Sequence, residues 1–351
     1  MLAAEMAAQE LTISQTENKK LKQSTSRRDH PVRVVLSGQE RIMNAVKTDV
    51  IIPAYHPGEE FDKLLERLSA QKYPVNKIIV MNTEKKFWRE NWEQKYPLVE
   101  VHHLTKQEFD HGATRRRGAE LSDAEILIFM TQDALPADRN LVGNLVQAVA
   151  GNEKTGAAYA RQLPKNDCGF LEKYTRSFNY PEQSCLKTEK DVETRGIKTY
   201  FCSNVCAAYD HRIYNEIGGF PEHAIFNEDM IYAGWMVKKG YAVAYAAEAK
   251  VYHSHNYSCS QQFHRNFDLG VSQAEHPEVF EGVPSEGEGV RLVKKSLSYL
   301  LKTGHIWMIP GLFFQSASKY AGYFLGKRYQ KLPERLILFC TMSPEYWKKQ
   351  K

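Results

Sequence analysis

The stretch "FMTQDALP" (129–136) closes an apolar run, residues 126–130, with an abrupt polar exit in which Asp133 stands two residues after Thr131. An aspartate at the mouth of a buried strand suits a hard divalent cation, which takes oxygen ligands and keeps waters or substrate phosphates in its other positions. One carboxylate is too few. "VYHSHNYS" supplies candidates: His253 and His255 are two apart and share a face on extended backbone. An H-x-H pair by itself is more often a surface or packing feature; together with Asp133 it predicts a metal centre. Two further carboxylates, Glu228 and Asp229, open a helix. A helix N-terminus keeps such groups ionised, the state a general base requires, and first-turn capping is their ordinary alternative role. "GATRRRG" (112–118) adds arginines that either pair with a diphosphate or form a solvated basic face. Neither GxGxxG nor GxxxxGK[ST] occurs, so a dinucleotide fold and a P-loop both lack their phosphate cradle.

Such groups need a scaffold that gathers strand ends. Val50, Ile51 and Ile52 read as a short buried strand that Pro53 ends, and Phe61, Leu64, Leu65 and Leu68 recur at helical spacing. Further strands are predicted at 77–84, 98–104, 125–131 and 156–162. Helices are predicted at 111–122 and through Leu141, Leu145, Val146 and Val149, the latter capped by Asp138. Strands alternating with helices imply βαβ units and a mostly parallel sheet, whose ligands bind at the carboxyl ends of the strands. The regularity breaks after Gln162. It resumes at Asn227, predicted to cap a helix that turns Ile231, Trp235 and Met236 to the core and ends at Gly240; a strand and the histidine turn follow.

The chain of 351 residues is 42% hydrophobic, 25% charged and 11% aromatic, ordinary for a soluble globular protein. No apolar stretch approaches the roughly 18 residues of a membrane-spanning helix. The start lacks the basic and apolar regions of a secretory signal, and residues 1–45, polar and without apolar period, are expected to be an extension. Six cysteines without a CxxC pair point to reduced thiols in a cytoplasmic protein. The net charge of +5 is unevenly placed. Residues 291–351 carry twelve Lys or Arg against Glu334 and Glu345, so the preceding residues sum to about −5. That argues against a nucleic-acid groove over the whole protein. It favours a local basic surface facing phospholipid headgroups or a lipid-linked phosphate.

In order along the chain, "TDVIIPAYH", Asn82 at the end of the second strand, "FDHGATRRRGAELS", "FMTQDALP", "NEDM" before a helix ending "KKGY", and "VYHSHNYS" resemble a family 2 glycosyltransferase with the GT-A fold. Within that family they resemble the bacterial rhamnosyltransferases that build cell-surface polysaccharides. The likeness covers about residues 46–270, and "SKYAGYFLGKRYQKLP" with "SPEYW" is similar to the C-terminal region of those enzymes. It implies an α/β GT-A domain over 46–270, a mostly parallel sheet flanked by helices, and a basic, amphipathic helical region over 271–351.

The resemblance also implies roles. Asp133 matches the last aspartate of the family's DxD motif and would bind Mg²⁺ or Mn²⁺ bridging the donor diphosphate, with Thr131 where the first aspartate usually stands. His253 matches the late histidine that completes this site, and His255 neighbours it. Asn82 takes the place of the aspartate that reads the pyrimidine base. Arg115 aligns with the arginine before the family's N-x-G, where Arg116 replaces the asparagine. Pro53, Tyr55, Glu84 and Gln132 are grouped with these two as nucleotide-sugar contacts. Asp229 matches the catalytic base of the "ED" motif, beside Glu228. The implied reaction is an inverting transfer, with dTDP-L-rhamnose as the favoured donor and a polysaccharide or lipid-linked oligosaccharide as acceptor.

Other readings remain at this level: a UDP-hexose donor, a non-catalytic scaffold in polysaccharide assembly, and a metal hydrolase built on Asp133, His253 and His255. "IWMIPGLFF" (306–314), near Lys294, Lys295, Lys302 and Lys319, either lies in the membrane interface at the inner face of the plasma membrane or packs a helical subdomain or a contact between copies of the chain.

Overall fold

The structure is a computed structural model that describes residues 46–283 and 286–349; the extension expected at 1–45 lies outside them. The apolar runs of the first half form strands covered on both faces. β1 (Thr48–Tyr55), β2 (Lys77–Thr83), β3 (Val99–Leu104) and β4 (Ile126–Met130) pair in parallel in the order β3-β2-β1-β4. Helices α1 (Glu59–Ser69) and α2 (His111–Glu120) make crossovers, and α1 buries Phe61, Leu64, Leu65 and Leu68, as their spacing predicts. Alternation along β1 divides the core. Val50 and Ile52 pack with α1, whereas Ile51 joins the layer on the other face.

The second half adds β5 (Leu135–Pro136), α3 (Leu141–Ala150), β6 (Thr155–Leu163), α4 (Phe170–Asn179), β7 (Cys185–Lys187), β8 (Cys206–Asp210), α5 (His211–Ile217), α6 (Glu228–Lys238) and β9 (Ala242–Tyr252). The sheet continues from β4 through β8, β6 and β9 to β5, with β7 also on β9. Here β8 runs antiparallel to β4 and β6, whereas β6 and β9 are parallel. The exit of β4 from the parallel block and the ends of β6 and β9 from the mixed block open onto one cavity.

Three local expectations are corrected. Pro53 does not end β1, which runs two residues further and pairs Pro53 with Met81. The ladder to β4 has already stopped at Ile51 opposite Phe129, so that edge has no rung left to lose to a missing N–H. Asp138 does not cap α3: it accepts the Asn140 N–H at 2.7 Å in a turn before the helix, whose N-cap position is Asn140. Asn227 precedes α6 with a left-handed φ of 72° and makes no side-chain cap.

The C-terminal region comprises α7 (Cys259–Glu275), α8 (Glu286–Lys302), α9 (Ile309–Gly326), α10 (Glu334–Cys340) and α11 (Pro344–Lys349). Glycines let α7 and α9 touch backbone to backbone. A Cβ on Gly322 would meet the Phe263 carbonyl oxygen at 2.1 Å, and one on Gly326 the Phe267 carbonyl oxygen at 2.1 Å. Thr341 donates to Asp268 Oδ1 at 2.6 Å and the Met342 N–H to Oδ2 at 3.0 Å, which ties the chain after α10 to α7. Among the described residues no helix is long and apolar enough to cross a membrane.

Candidate active site

Asp133 leaves β4, and His253 and His255 leave β9. The antiparallel pairing of Leu135 with Tyr252 and of Pro136 with Val251 brings the two exits together. Extending that register by two residues sets Asp133 level with Ser254, between the histidines. His255 Nε2 lies 3.1 Å and His253 Nε2 3.5 Å from Asp133 Oδ2, and the two nitrogens are 3.0 Å apart. Behind them, buried Gln162 accepts at Oε1 from Arg176 Nη1 and faces His253 Nδ1 at 3.1 Å. Its Nε2 donates to Ser203 Oγ at 3.0 Å, so the amide orientation is set. Gln162 orients the ring through Nδ1 and so turns His253 Nε2 toward Asp133 and His255. Burial lowers the pKa of His253, which keeps the ring neutral. Burial works against the charged form of Asp133, yet its contacts with the two imidazoles hold the carboxyl well below the usual range. A carboxylate and two imidazoles aimed at one point suit a divalent cation.

Across the cavity, α6 begins with Glu228 and Asp229. Asp229 Oδ2 accepts the Asn204 N–H at 2.9 Å, and Oδ1 accepts its neighbour Met230 N–H at 2.8 Å. Glu228 Oε1 accepts from Asn204 Nδ2 at 3.0 Å and faces Arg115 Nη1 at 3.2 Å, with both partners' side chains 7% exposed. Arg115 also donates to the His111 carbonyl at 2.9 Å, one turn back on α2. Asp110 caps that helix with two backbone bonds. Burial opposes the charge on Glu228, but Arg115 and His111 hold its pKa below the ordinary value. The adjacent carboxyl behaves in the opposite way: burial and the Glu228 charge push Asp229 up to about 7. It is therefore poised to take up a proton near neutrality.

Both centres, with Arg115 and Thr131, line one cavity of about 1880 Å³. The sequence pattern of glycosyl transferase family 2 matches residues 49–218. The O-antigen chain rhamnosyltransferase RfbN of Salmonella typhimurium is 38% identical over 312 residues, which are 86% of this chain and 96% of that protein. The O-antigen chain rhamnosyltransferase WbaN of Salmonella anatum is 34% identical over 303 residues, 85% of this chain and 95% of that protein. The chain belongs to glycosyltransferase family 2. A solved structure of the mannosyltransferase PcManGT from Pyrobaculum calidifontis, in complex with GDP-Man and Mn²⁺, is similar with a TM-score of 0.59 at 14% identity. It covers 87% of this chain and 92% of that one, a likeness of GT-A fold alone.

In this glycosyltransferase the expected nucleotide contacts other than Arg115 lie apart from that cavity wall, at the carboxyl ends of β1, β2 and β4. Gln132 is engaged with the backbone of β1: the Tyr55 N–H donates to its Oε1 at 2.8 Å, and its Nε2 donates to the Tyr55 carbonyl at 3.0 Å. The Tyr55 ring is left exposed against Phe87. Asn82 is fully buried; its Nδ2 is shared between the Glu84 carbonyl and His103, and its Oδ1 has no partner. Glu84 accepts the Lys106 N–H at 2.8 Å. Among the described residues, the non-glycine positions with positive φ are His56 and Glu84, after β1 and β2, and Asn227, before the two carboxylates of α6. Strained backbone thus collects around the site rather than in remote loops.

Sequence reasoning passes over Gln162, Asn204 and Arg176. The signal for Gln162 and Asn204 is the "RQLP" stretch at the end of β6 and the "CSNVC" stretch before β8, where polar residues stand beside buried ones; Arg176, on α4, has no such signal. The six cysteines are free thiols, and Cys202 and Cys206 are core residues.

Proposed function

We propose that this glycosyltransferase transfers L-rhamnose, with inversion, from dTDP-L-rhamnose to a lipid-linked oligosaccharide in O-antigen-type polysaccharide synthesis. The observation that carries the sugar is the 38% and 34% identity, over nearly their full lengths, to two proteins named O-antigen chain rhamnosyltransferases. The site supplies a mechanism. Asp229 takes the proton of the acceptor hydroxyl while its oxygen bonds to the anomeric carbon. On the opposite side, the bond from that carbon to the diphosphate oxygen breaks and the electron pair leaves with the diphosphate. Glu228 acts through Asp229 by raising its proton affinity, and Arg115 keeps Glu228 charged.

Asp133, His253 and His255 would hold Mn²⁺ or Mg²⁺, and the two imidazoles favour Mn²⁺. An ion bound there would neutralise charge gathering on the leaving diphosphate. Pro53, Tyr55, Asn82, Glu84 and Gln132 shape the nucleoside end, where the exposed Tyr55 ring offers a stacking face. The enzyme works at the cytoplasmic face of the membrane, held by basic helices α8 to α11 and by the exposed Trp307, Phe313 and Phe314. The convergence of Asp133, His253 and Asp229 on one cavity disfavours the scaffold reading. The test is donor hydrolysis across dTDP-, UDP- and GDP-sugars with and without Mn²⁺. Metal-dependent release of dTDP from dTDP-rhamnose alone supports the proposal, and preferential release from a UDP-hexose overturns the sugar assignment.

A further inference from the structure

The cavity does not stop at the transferase sheet. One face of α9, carrying Leu312, Ser316, Lys319 and Tyr323 at helical spacing, lines it together with Asp133, His253 and Asp229. The glycine contacts fix this wall. Gly322 and Gly326 seat α9 on the backbone of α7 at Phe263 and Phe267, and Arg265 lies between those two positions on α7. Lys319 and Arg265 therefore reach the cavity from two helices whose separation cannot drift.

Their charges are unmatched. The Arg265 guanidinium lies over the rings of Phe226 at 4.5 Å and Tyr257 at 5.6 Å. Among the described residues no carboxylate comes within ion-pair distance of Arg265 or Lys319. The acid that acts on Lys319, Glu172, is already bonded to Arg176 Nε at 2.6 Å. On this wall of the cavity three cations, Lys319, Arg265 and Arg176, thus share one carboxylate, Glu172. Burial lowers the pKa of Lys319, as expected of an ammonium without a partner. Lys319 and Arg265 are partly buried, and a cation that loses water without gaining a carboxylate carries a cost that a bound anion offsets.

We infer that Lys319, Arg265 and Arg176 form a diphosphate-binding cradle, so that α9 of the C-terminal region completes the active site. A flexible ammonium beside two planar guanidiniums matches a group of several charged oxygens. The inference rests on the glycosyl-transfer reading only for the source of that diphosphate: the donor nucleotide or the lipid diphosphate of the acceptor.

The test is calorimetric binding of inorganic pyrophosphate to the full chain in EDTA, which removes the metal centre from the measurement. Lys319→Met should weaken binding about tenfold or more, with partial recovery in Lys319→Arg and a melting temperature that does not fall below that of wild type. Lys319→Gln serves in its place if the methionine variant lowers the melt. Equal affinity in wild type and the charge-removing variant, or no binding by wild type, overturns the cradle. In turnover, a raised KM for dTDP-rhamnose assigns the cradle to the donor, and a raised KM for the lipid-linked acceptor assigns it to the acceptor. Pyrophosphate binding by an enzyme that ignores every donor would sink the proposed function and leave the cradle standing.

Discussion

Asp133 and Asp229 are the same residue type on two walls of one cavity, and their surroundings drive them apart. Asp133 ends a strand opposite two imidazoles that hold its carboxyl well below the usual range, so it stays an anion. Asp229 starts a helix beside the charged Glu228, and burial with that neighbour lifts it to about 7. The lesson is that the neighbours decide the chemistry. A carboxylate held charged is suited to a cation, whereas one that titrates near neutrality is suited to a proton.

Removing the titrating group breaks the comparison most severely. Asp229→Asn should lower kcat by about 10³-fold while the dissociation constant for dTDP stays within a few-fold of wild type, because the loss falls on proton transfer alone. Single-turnover assays with donor-binding calorimetry separate the two. Next in size is Arg115→Met, which strands the buried Glu228 charge. Chemical denaturation should report a loss of about 3–5 kcal/mol, far beyond that of a surface arginine.

Gln162→Leu sharpens the other side. It frees His253 Nδ1 from its orienting partner, and Mn²⁺ affinity read by electron paramagnetic resonance should fall about 10–100-fold with Asp133 intact. The smallest effect belongs to the C-terminal wall. Gly322→Ala forces a Cβ against the Phe263 carbonyl and should cost about 1–3 kcal/mol, with hydrogen exchange rising in α9 before the sheet is affected.

Legibility in the sequence followed the range of the contacts. Asp133, His253, His255 and Asp229 each sit where an apolar element meets polar residues, which made them candidates; the β5–β9 pairing collects the first three, and the choice of Asp229 as base came from the family resemblance. The parallel block was readable for the same reason, since strands covered on both faces are written as continuous apolar runs. Gln162 and Asn204 were not readable. Gln162 lies near the end of β6 and meets His253 only through the parallel pairing of β6 with β9, far apart in sequence, and the Asn204 amide has meaning only once α6 folds over it. Lys319 reads as surface charge on an amphipathic helix. It becomes a cavity residue only through the glycine contact of α9 with α7, a matter of backbone approach that periodicity does not encode. Pro53 misled because the rule against proline in strands applies to paired edges, and the β4 ladder had already ended.

The division of labour between the two aspartates is tested most directly by the pH dependence of kcat/KM for wild type and Glu228→Gln. Protonated Asp229 cannot accept the acceptor's proton, so wild-type activity should fall as pH drops through about 7. Removing the Glu228 charge eliminates one of the two influences that raise Asp229. The acid limb should then move to lower pH, and the variant should keep a larger fraction of its maximal activity at pH 6 than wild type does. A limb that stays in place, or a wild-type profile flat from pH 5 to 8, would contradict the assignment of Asp229 as the base.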